Sequence, residues 1–379
     1  MTLPATALQL RSLLHASGDL ELSLTDVPLP VPGPDEVLIR VEATPINPSD
    51  IGLLLAAADL STLRYAGTAE RPVVTAAVPQ KVLPGLAGRV GQSMPVGNEG
   101  AGTVVATGSA PQARALMGRL VAVIGGAMYA QYRVMPAADC LLLPEGTVAA
   151  DAASCFVNPL TALGMVETMR RDGHTALVHT VGASNLGRML QRICTKDGIA
   201  LVKLVRSVEQ EALLRGDGAP HVVNTTAPDF SARLTDVLAE TGATIAFDAI
   251  GGGRLAGQIL QCMEAAINRR ATGYSRYGSN MHKQVYIYGS LDRSPIELPR
   301  NIGMAWSTGG WLLFPFLHTL PPERVQALRA RVTAELTTTF ASHYTRSVSL
   351  AGALRQDAMA DYTRQATGTK YLILPQAPA

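Results

Sequence analysis

The sequence predicts an α/β protein that combines a β-rich module with a doubly wound parallel sheet. Turn-forming residues divide the first 150 residues into short strands. From Asp151 onward, apolar strands alternate with helical periodicity, which is typical of a parallel sheet covered by helices on both faces. The chain has 379 residues, of which 47% are hydrophobic and 16% charged, so it can fill the cores of two or three domains and is not predominantly disordered.

The β-rich module consists of segments that end at glycine or proline. EVLIRVEA at 36–43 alternates like a half-buried strand and stops before the turn TPINPSD. Glycines bound two further β segments, GAGTVVATG at 100–108 and GRLVAVIGG at 118–126. YAQYRVMP then leads to LLLPEG at 141–146, where proline and glycine end the module.

Helices and strands alternate through the second part of the chain. DAASCFVNPLTALGMVETM at 151–169 has helical periodicity, the strand ALVHTVG follows, and the next helix ends at Gly198 as its C-cap. The later strands are IALVKLVRS, HVVN, ATIAFDAIGGG and QVYIYGSLD. The tail from Pro321 holds one helix and then a second that runs into a strand, and we expect both to return to the first module.

Residues 52–95 form a long stretch of mostly small and apolar residues. Connections of this length are uncommon unless they act as a lid or contain helices. We interpret the stretch as a helix-containing insertion beside the active site, and a passive surface elaboration is the alternative.

Composition and charge narrow the class of protein. The 32 basic and 30 acidic residues give a net charge of +2, without the concentrated positive charge of a nucleic-acid-binding protein. Cys140, Cys155, Cys194 and Cys262 stand far apart, which is typical of reduced cytosolic thiols. The N-terminus lacks a basic leader and an apolar run, and the apolar stretches LVAVIGGAMYA and WLLFPFLHTL are too short to span a bilayer. These features predict a cytoplasmic protein that binds neither nucleic acid nor membranes.

The segment ALVHTVGASNLGRMLQ at 176–191 carries the most specific motif. An apolar strand leads into Gly182 and a helix begins near Gly187, which is the arrangement of a dinucleotide-binding loop. In such a loop the first glycine allows a tight turn, the last allows close helix–strand packing, and the helix N-terminus binds phosphate. The predicted cofactor-binding residues are Gly182, Ala183, Ser184, Asn185 and Leu186.

The end of the next strand predicts which dinucleotide binds. NAD-binding proteins place Asp or Glu about 20 residues after the loop, where the acid accepts hydrogen bonds from ribose hydroxyls. Arg206 and Ser207 stand there instead, and a guanidinium beside a hydroxyl suits a 2′-phosphate. The sequence therefore favours NADPH over NADH, and the alternative is that Arg206 is a solvated loop charge.

Further motifs follow one another along nearly the whole chain. They are INPSD at 46–50, GNEGAG at 97–102, NPLTAL at 158–163, FDAIGG at 247–252, VYIYGS at 285–290 and TGTKYLILP at 367–375. In this order the chain resembles the medium-chain dehydrogenase/reductase superfamily, and within it the zinc-free quinone oxidoreductase and enoyl reductase branch. The resemblance implies a GroES-like catalytic domain at 1–151, completed by 306–379, that is interrupted by a Rossmann NADP-binding domain at 152–305.

Zinc alcohol dehydrogenases of this superfamily carry Cys in the first of these motifs and His in the second. Here those positions hold Pro48 or Ser49 and Asn98, which are not usual zinc ligands. No two cysteines are nearer than the 15 positions between Cys140 and Cys155, so the closely spaced structural-zinc quartet is also missing. We expect no zinc.

The expected lack of zinc favours one class of reaction. Without a metal to stabilise an alkoxide, hydride addition to a conjugated C=C bond is the easier reaction, because hydrogen bonds can hold the resulting enolate. The resemblance implies that NADPH delivers hydride to a small-molecule substrate, a quinone or an α,β-unsaturated carbonyl compound. Two alternatives stay open. One is a non-catalytic NADPH-binding sensor or structural protein. The other is a 2-enoyl thioester reductase, whose basic patch for a CoA or carrier nucleotide would be Arg269, Arg270, Arg276 and Lys283.

The resemblance also implies roles for individual residues. Asn47 would donate its amide to a substrate carbonyl, or would only shape a turn. Thr161 corresponds to a hydroxyl that contacts the nicotinamide, with local capping as the alternative. Arg364 matches a position near the cofactor, or is an ordinary surface arginine. Because ligands gather at the carboxyl ends of strands in open α/β sheets, the backbone that would face the nicotinamide is Tyr288, Gly289 and Ser290.

Two segments depart from the family pattern and leave the substrate open. Enoyl thioester reductases of this branch use a Tyr shortly after the INPSD-like motif, so Tyr65 is the candidate proton donor, with a packed insertion tyrosine as the alternative. The loop at 271–284 is long and aromatic, and would border the substrate or a partner, or be solvated. The family often dimerises through its cofactor domain, which implies a homodimer.

Overall fold

The computed structural model describes residues 3–379, which form two compact units. Of these, residues 3–157 and Arg331–Ala379 form the first unit, and Asn158–Ala330 forms the second. The chain therefore returns to the first unit at Arg331, later than the expected 306. The reason is that Trp306–Gly310 is a strand that pairs with Lys283–Ile287, inside the sheet of the second unit.

The first unit is β-rich, as the sequence predicts. Its strands before the second unit are β1 (Thr6–Leu14), β2 (Asp19–Pro28), β3 (Glu36–Pro45), β4 (Arg64–Gly67), β5 (Pro72–Ala77), β6 (Ser93–Pro95), β7 (Glu99–Thr107), β8 (Leu120–Ile124), β9 (Tyr132–Pro136) and β10 (Leu141–Leu142). The α-helices are α1 (Pro48–Leu55), α2 (Pro111–Arg114) and α3 (Ala149–Ala152), and 3-10 helices span Leu60–Thr62, Gln80–Arg89 and Ala137–Asp139.

Helices and strands alternate through the second unit. In chain order they are α4 (Val157–Arg171), β11 (Ala176–His179), α5 (Asn185–Asp197), β12 (Ala200–Val205), α6 (Val208–Gly216), β13 (His221–Asn224), α7 (Phe230–Thr241), β14 (Ile245–Asp248), β15 (Gly251–Gly253), α8 (Leu255–Asn268), β16 (Lys283–Ile287), β17 (Asp292–Ile296), β18 (Trp306–Gly310), α9 (Leu313–His318) and α10 (Pro322–Ala334). The C-terminal part adds β19 (Arg346–Val348), a 3-10 turn at Gly352–Leu354, α11 (Gln356–Tyr362) and β20 (Tyr371–Ile373).

Two sheets build the first unit. One has the strand order β4-β5-β2-β1-β6, and the other has the order β10-β8-β7-β3-β20-β19 with β9 also paired to β3. Alternate residues of β3, Val37, Ile39 and Val41, are buried in one apolar cluster with Val121 and Val123 of β8. Because β20 pairs with β3, the C-terminal tail supplies a strand of this sheet, as the sequence predicts.

The stretch at 52–95 differs from the helix-containing insertion that we expected. It holds the end of α1 and two 3-10 helices, but β4 and β5 lie between them and extend the sheet beyond β2. The β-branched run of β5 explains this, since Val74 is buried opposite Leu22. Arg89 ties the stretch to β1, because its Nη2 donates to Ser12 Oγ and Leu53 O, each at 2.6 Å.

The second unit is a doubly wound parallel sheet, which confirms the predicted fold class. Its six strands have the order β13-β12-β11-β14-β16-β18, and each neighbouring pair is parallel. All four residues of β11 are buried, as expected for a central strand with both faces covered. An apolar cluster joins one face of the sheet to α7 and α8.

One helical segment of the described chain, Ala149–Arg171, is long and apolar enough to cross a membrane, with a mean hydropathy of 1.2. The protein buries 72% of its apolar window. A core helix passes the same test of length and composition, so the segment is no evidence of a membrane span.

Candidate functional site

The dinucleotide-type loop of the second unit has the local geometry that its sequence predicts. Ser184 is the N-cap of α5, and its Oγ accepts a hydrogen bond from Gly187 N at 3.1 Å. A Cβ on Gly187 would collide with the carbonyl oxygen of Gly182, and one on Gly182 would lie 2.8 Å from Lys203 Cβ. Both glycines are therefore required for the close approach of α5 to the sheet. Ala183, Asn185 and Leu186 lie in the same loop and first helical turn.

Val181, just before this loop's first glycine, is strained. Its φ is 49°, a left-handed conformation that a β-branched residue rarely adopts. Gly182 N donates to Leu204 O at 2.8 Å and Ser184 N to Val181 O at 2.9 Å, so the turn holds Val181 on both sides. Strain of this kind concentrates at ligand-binding loops.

A buried hydrogen-bond network joins the carboxyl ends of β11 and β14. Thr180 Oγ1 donates to Asp248 Oδ1 at 3.0 Å and accepts from Ala249 N at 2.8 Å. Asp248 also accepts from Ile250 N at 2.9 Å and from Gly251 N at 3.2 Å. Burial raises the pKa of Asp248, and these donors oppose that effect. The network fixes the edge of the sheet at which the loop begins.

Arg206 and Ser207 follow β12 directly, as predicted. Ser207 caps α6, with its Oγ accepting from Gln210 N at 3.3 Å, so part of its hydrogen-bonding capacity is structural. Arg206 is exposed, and its backbone N–H donates to Gln210 Oε1 at 3.1 Å. Its guanidinium has no partner anywhere in residues 3–379 and is available to an anion.

Lys203, which the sequence analysis missed, lies on β12 beneath the loop. The residue is 1% exposed, and its side chain makes no hydrogen bond with other described residues. Burial lowers its pKa to about 8, with nearby Asp217 opposing the shift. A lysine inside an otherwise apolar strand, LVKLV, is the signal that could have found it.

A cavity of about 520 Å³ opens at the carboxyl ends of β16 and β18. Among its lining residues are the predicted Tyr288, Gly289 and Ser290, so the structure brings these three together at one surface. Tyr288 Oη lies 2.7 Å from Nε2 of His179, a buried residue that the sequence analysis did not select. Thr161 is buried as the fifth residue of α4, too far inside the helix for a capping role. The other lining residues are Ile287, Gly310, Trp311, Leu312 and Pro315.

In the first unit, Asn47 is part of a buried polar cluster. Its Nδ2 donates to Glu99 Oε1 at 2.7 Å, and Glu99 Oε2 accepts from Phe156 N and Val157 N, each at 2.9 Å. Asn47 Oδ1 is buried and has no partner among the described residues. We expected the amide to act as a donor, but one of its hydrogens is already used and the open atom is an acceptor.

Two further charged residues, Asp50 and Lys370, belong to this cluster and were missed. Asp50 accepts from Asn47 N and Asn98 N, each at 2.8 Å, and burial raises its pKa to about 7. Lys370 Nζ donates to Ser154 Oγ at 2.9 Å, and burial lowers its pKa to about 8. Asp50, Glu99 and Lys370 all fall inside motifs that the sequence analysis singled out. The available signal was a charged residue inside each of these motifs.

The other two residues predicted in the first unit, Tyr65 and Arg364, make no hydrogen bond with the members of this polar cluster that the structure describes. Tyr65 is on β4, where it packs against the apolar core, and burial raises its pKa. No described residue accepts or donates a hydrogen bond at its phenol. Arg364 is exposed and pairs with Asp361 at 2.8 Å, the arrangement of a surface arginine.

The positions of the superfamily's zinc ligands are joined to each other here. Asn98 Nδ2 donates to Ser49 Oγ at 3.0 Å. Within residues 3–379, no group of three His, Cys, Asp or Glu side chains is arranged to hold a metal ion.

The long aromatic loop at 271–284 is tied to α8 by a buried ion pair. Lys283 Nζ donates to Glu264 Oε2 at 2.6 Å, and Ser279 Oγ donates to the same oxygen at 2.6 Å. Tyr274 stands 95% exposed, as in a solvated loop. Lys283 is fully buried and Arg269 pairs with Asp236, so the basic patch that an enoyl thioester reductase would need does not form as predicted.

A β-rich unit interrupted by a parallel sheet with this loop defines the GroES-like plus Rossmann architecture of nucleotide-dependent dehydrogenases and reductases. Residues 33–145 match the alcohol dehydrogenase GroES-like domain. The chain is 26% identical to the synaptic vesicle membrane protein VAT-1 homolog of Rattus norvegicus, over 59% of this chain and 48% of that protein. It is also 26% identical to the mitochondrial enoyl-acyl-carrier-protein reductase of Xenopus tropicalis, over 78% of this chain and 74% of that protein.

Among solved structures, one from Mesorhizobium loti that is assigned as an NADPH:quinone reductase superposes with a TM-score of 0.74. Its sequence identity is 27%, and the match covers 99% of this chain and 100% of that one. The chain spans about half the length of the VAT-1 homolog that it matches. The GroES-like match and these similarities support the medium-chain dehydrogenase/reductase superfamily, in the branch of quinone oxidoreductases and enoyl reductases, as the resemblance implied.

Proposed function

We propose that the protein is a zinc-independent, NADPH-dependent reductase that transfers hydride to a quinone or an α,β-unsaturated carbonyl compound. The observation that carries the proposal is the loop between β11 and α5, together with the exposed Arg206 at the end of β12, whose guanidinium has no partner among the described residues. The relatives support it, since their names describe an NADPH:quinone reductase and an enoyl reductase.

The residues fit a dinucleotide. Gly182 and Gly187 leave no room for side chains, so α5 packs closely against the sheet and its N-terminus lies beside the turn after β11, where a pyrophosphate would bind. The positive end of the helix dipole at the start of α5 favours an anion. Arg206 would bind the 2′-phosphate, and Gly289 and Ser290 would face the nicotinamide. When bound, NADPH supplies the hydride.

The first unit supports a role for Asn47 as an acceptor. Glu99 fixes the amide through Nδ2, and the buried Oδ1 is left for a hydroxyl or N–H group of a ligand. An unpaired buried acceptor costs free energy, which a ligand donor would recover. The identities of Pro48, Ser49 and Asn98 support zinc independence.

Fluorescence titration of the purified protein with NADPH and with NADH tests cofactor binding. We expect NADPH to bind more tightly than NADH. We also expect the protein to reduce at least one compound from a panel of quinones and enones, and this activity should persist after a chelator has removed metals. Binding of neither nucleotide would overturn the proposal. Binding without turnover of any quinone, enone or enoyl thioester would favour the non-catalytic alternative, and turnover of thioesters alone would favour the enoyl thioester reductase.

A homodimer and a cytoplasmic location are part of the proposal. The dimer has one structural support: within residues 3–379, β18 is an edge strand of the parallel sheet, and an edge strand can pair with a second chain. Light scattering during gel filtration measures the mass, and a monomer at micromolar concentration would contradict the dimer.

A further inference from the structure

A phenol and an imidazole form a pair at the carboxyl ends of β16 and β11. Tyr288 Oη lies 2.7 Å from His179 Nε2, and the two rings are stacked with centroids 5.8 Å apart. His179 is fully buried, whereas Tyr288 lines the cavity at the ends of β16 and β18. The pair therefore links the interior of the sheet to the cavity surface.

Either Tyr288 Oη or His179 Nε2 could donate the hydrogen bond between them, and the burial of the other ring nitrogen, Nδ1, distinguishes the two cases. His179 Nδ1 is buried and has no partner among the described residues. If Nδ1 carried the ring proton, a buried N–H donor would be orphaned, which is the rarer and costlier arrangement. The favoured tautomer places the proton on Nε2, which donates to Tyr288 Oη. The phenol then accepts from His179 and keeps its own hydrogen for another acceptor.

The surroundings keep both groups neutral at ordinary pH. Burial and then Lys203 on β12 lower the pKa of His179 to about 3. Burial and then Asp248 on β14 raise the pKa of Tyr288. The phenol is thus protonated across the physiological range, as a proton donor must be, and the imidazole cannot become a competing acid.

We propose that Tyr288 is the proton donor to the reduced substrate and that His179 is the residue that positions it. The inference rests on the proposed reductase function. After hydride has added to the β-carbon, the C=C electron pair resides on the α-carbon and carbonyl oxygen as an enolate. The O–H bond of Tyr288 breaks, its proton forms the new bond to the enolate, and the electron pair stays on Tyr288 Oη as a phenolate. His179 Nε2–H stabilises that phenolate until solvent returns a proton.

Three Tyr→Phe variants separate this assignment from its rival. Tyr288→Phe removes only the proposed donor, and we expect kcat to fall about 100-fold with NADPH affinity changed less than about threefold. Tyr286→Phe is the matched control, because Tyr286 lies two residues earlier, keeps its stacking on Phe247 and bonds Asp172 instead. Tyr65→Phe tests the donor predicted from the sequence. A large loss at Tyr65 with none at Tyr288 would overturn the proposal.

The positioning role of His179 is tested by a measurement that would not change if the residue were only structural. His179→Gln can still donate an N–H to the phenol, whereas His179→Leu cannot, so we expect Gln to retain several-fold more activity than Leu. In the cofactor-free protein, ¹⁵N NMR of the histidine rings, assigned with His179→Gln, should show a neutral Nε2–H tautomer from pH 5 to pH 8. An Nδ1–H tautomer would overturn the proposal, because the phenol hydrogen would then be donated to His179.

The activity of the wild-type protein shows whether the proposed reductase function fails or only the assignment of Tyr288 as proton donor fails. If the wild type reduces no quinone or enone with NADPH, the proposed function fails and the proton donor fails with it. If the wild type is active and Tyr288→Phe matches Tyr286→Phe, the function stands and only the proton donor is wrong.

Discussion

Arg206→Ala removes the guanidinium that we assign to the 2′-phosphate of NADPH. Arg206 is exposed and unpaired within the described residues, so its loss breaks no internal contact and should leave the melting temperature unchanged. A hydrogen bond to a charged group contributes about 1.5–3 kcal/mol, and exposure to solvent places this one at the lower end of that range. Since about 1.4 kcal/mol is a factor of ten, the Kd for NADPH should rise about 10- to 30-fold.

NADH lacks the 2′-phosphate, so its Kd should change less than about twofold in the same variant. The assay is fluorescence titration with both nucleotides at two salt concentrations, because screening should reduce the difference between wild type and variant at high salt. Arg254→Ala is the matched control, since its side chain is 76% exposed at the start of α8, away from β12. Equal loss for NADPH and NADH, or no loss for either, would refute the assignment of Arg206.

Three further substitutions test the loop and the polar cluster. Gly187→Ala should destabilise the protein by about 1–3 kcal/mol and weaken nucleotide binding, because the added Cβ would collide with Gly182 O. An unchanged thermal unfolding curve would contradict the close packing of α5 at this position. Val181→Gly should raise the stability of the protein. The substitution relieves about 1–3 kcal/mol of backbone strain, which exceeds the roughly 0.5–1 kcal/mol entropic cost of glycine. A lower melting temperature would contradict this prediction. Asp50 has a folded pKa of about 7, raised from 3.8, so its contribution to stability is full below the unfolded pKa and is lost as pH rises through the folded one. The stability of wild type should therefore fall relative to Asp50→Asn between about pH 4 and pH 7 in urea titrations, and parallel curves would show that Asp50 does not titrate there.

The parts that sequence reasoning predicted well depend on neighbours along the chain. The turn from β11 into α5 needs glycine at 182 and 187, a capping hydroxyl at Ser184 and a left-handed C-cap at Gly198, and the structure has each of them. These are local requirements of backbone geometry, so the residue type at each position is sufficient to infer them.

The parts that were missed depend on contacts between distant segments. Asn47 meets Glu99 across 52 positions and His179 meets Tyr288 across 109, and no local pattern relates either pair. The return of the chain at Arg331 and the pairing of β5 with β2 were missed for the same reason, since strand partners are chosen by the packing of whole sheets.

The sequence by itself determined the fold class, the dinucleotide-type loop and the residue types at the superfamily's metal positions, because each follows from local spacing and side-chain chemistry. Only the tertiary structure decided which atoms are open to a ligand. It uses the Nδ2 of Asn47 for Glu99 and leaves Oδ1, and it buries Lys283 while leaving Arg206 exposed. Burial and hydrogen bonding are properties of the packed chain, and they convert a residue's possible chemistry into the chemistry that it can perform.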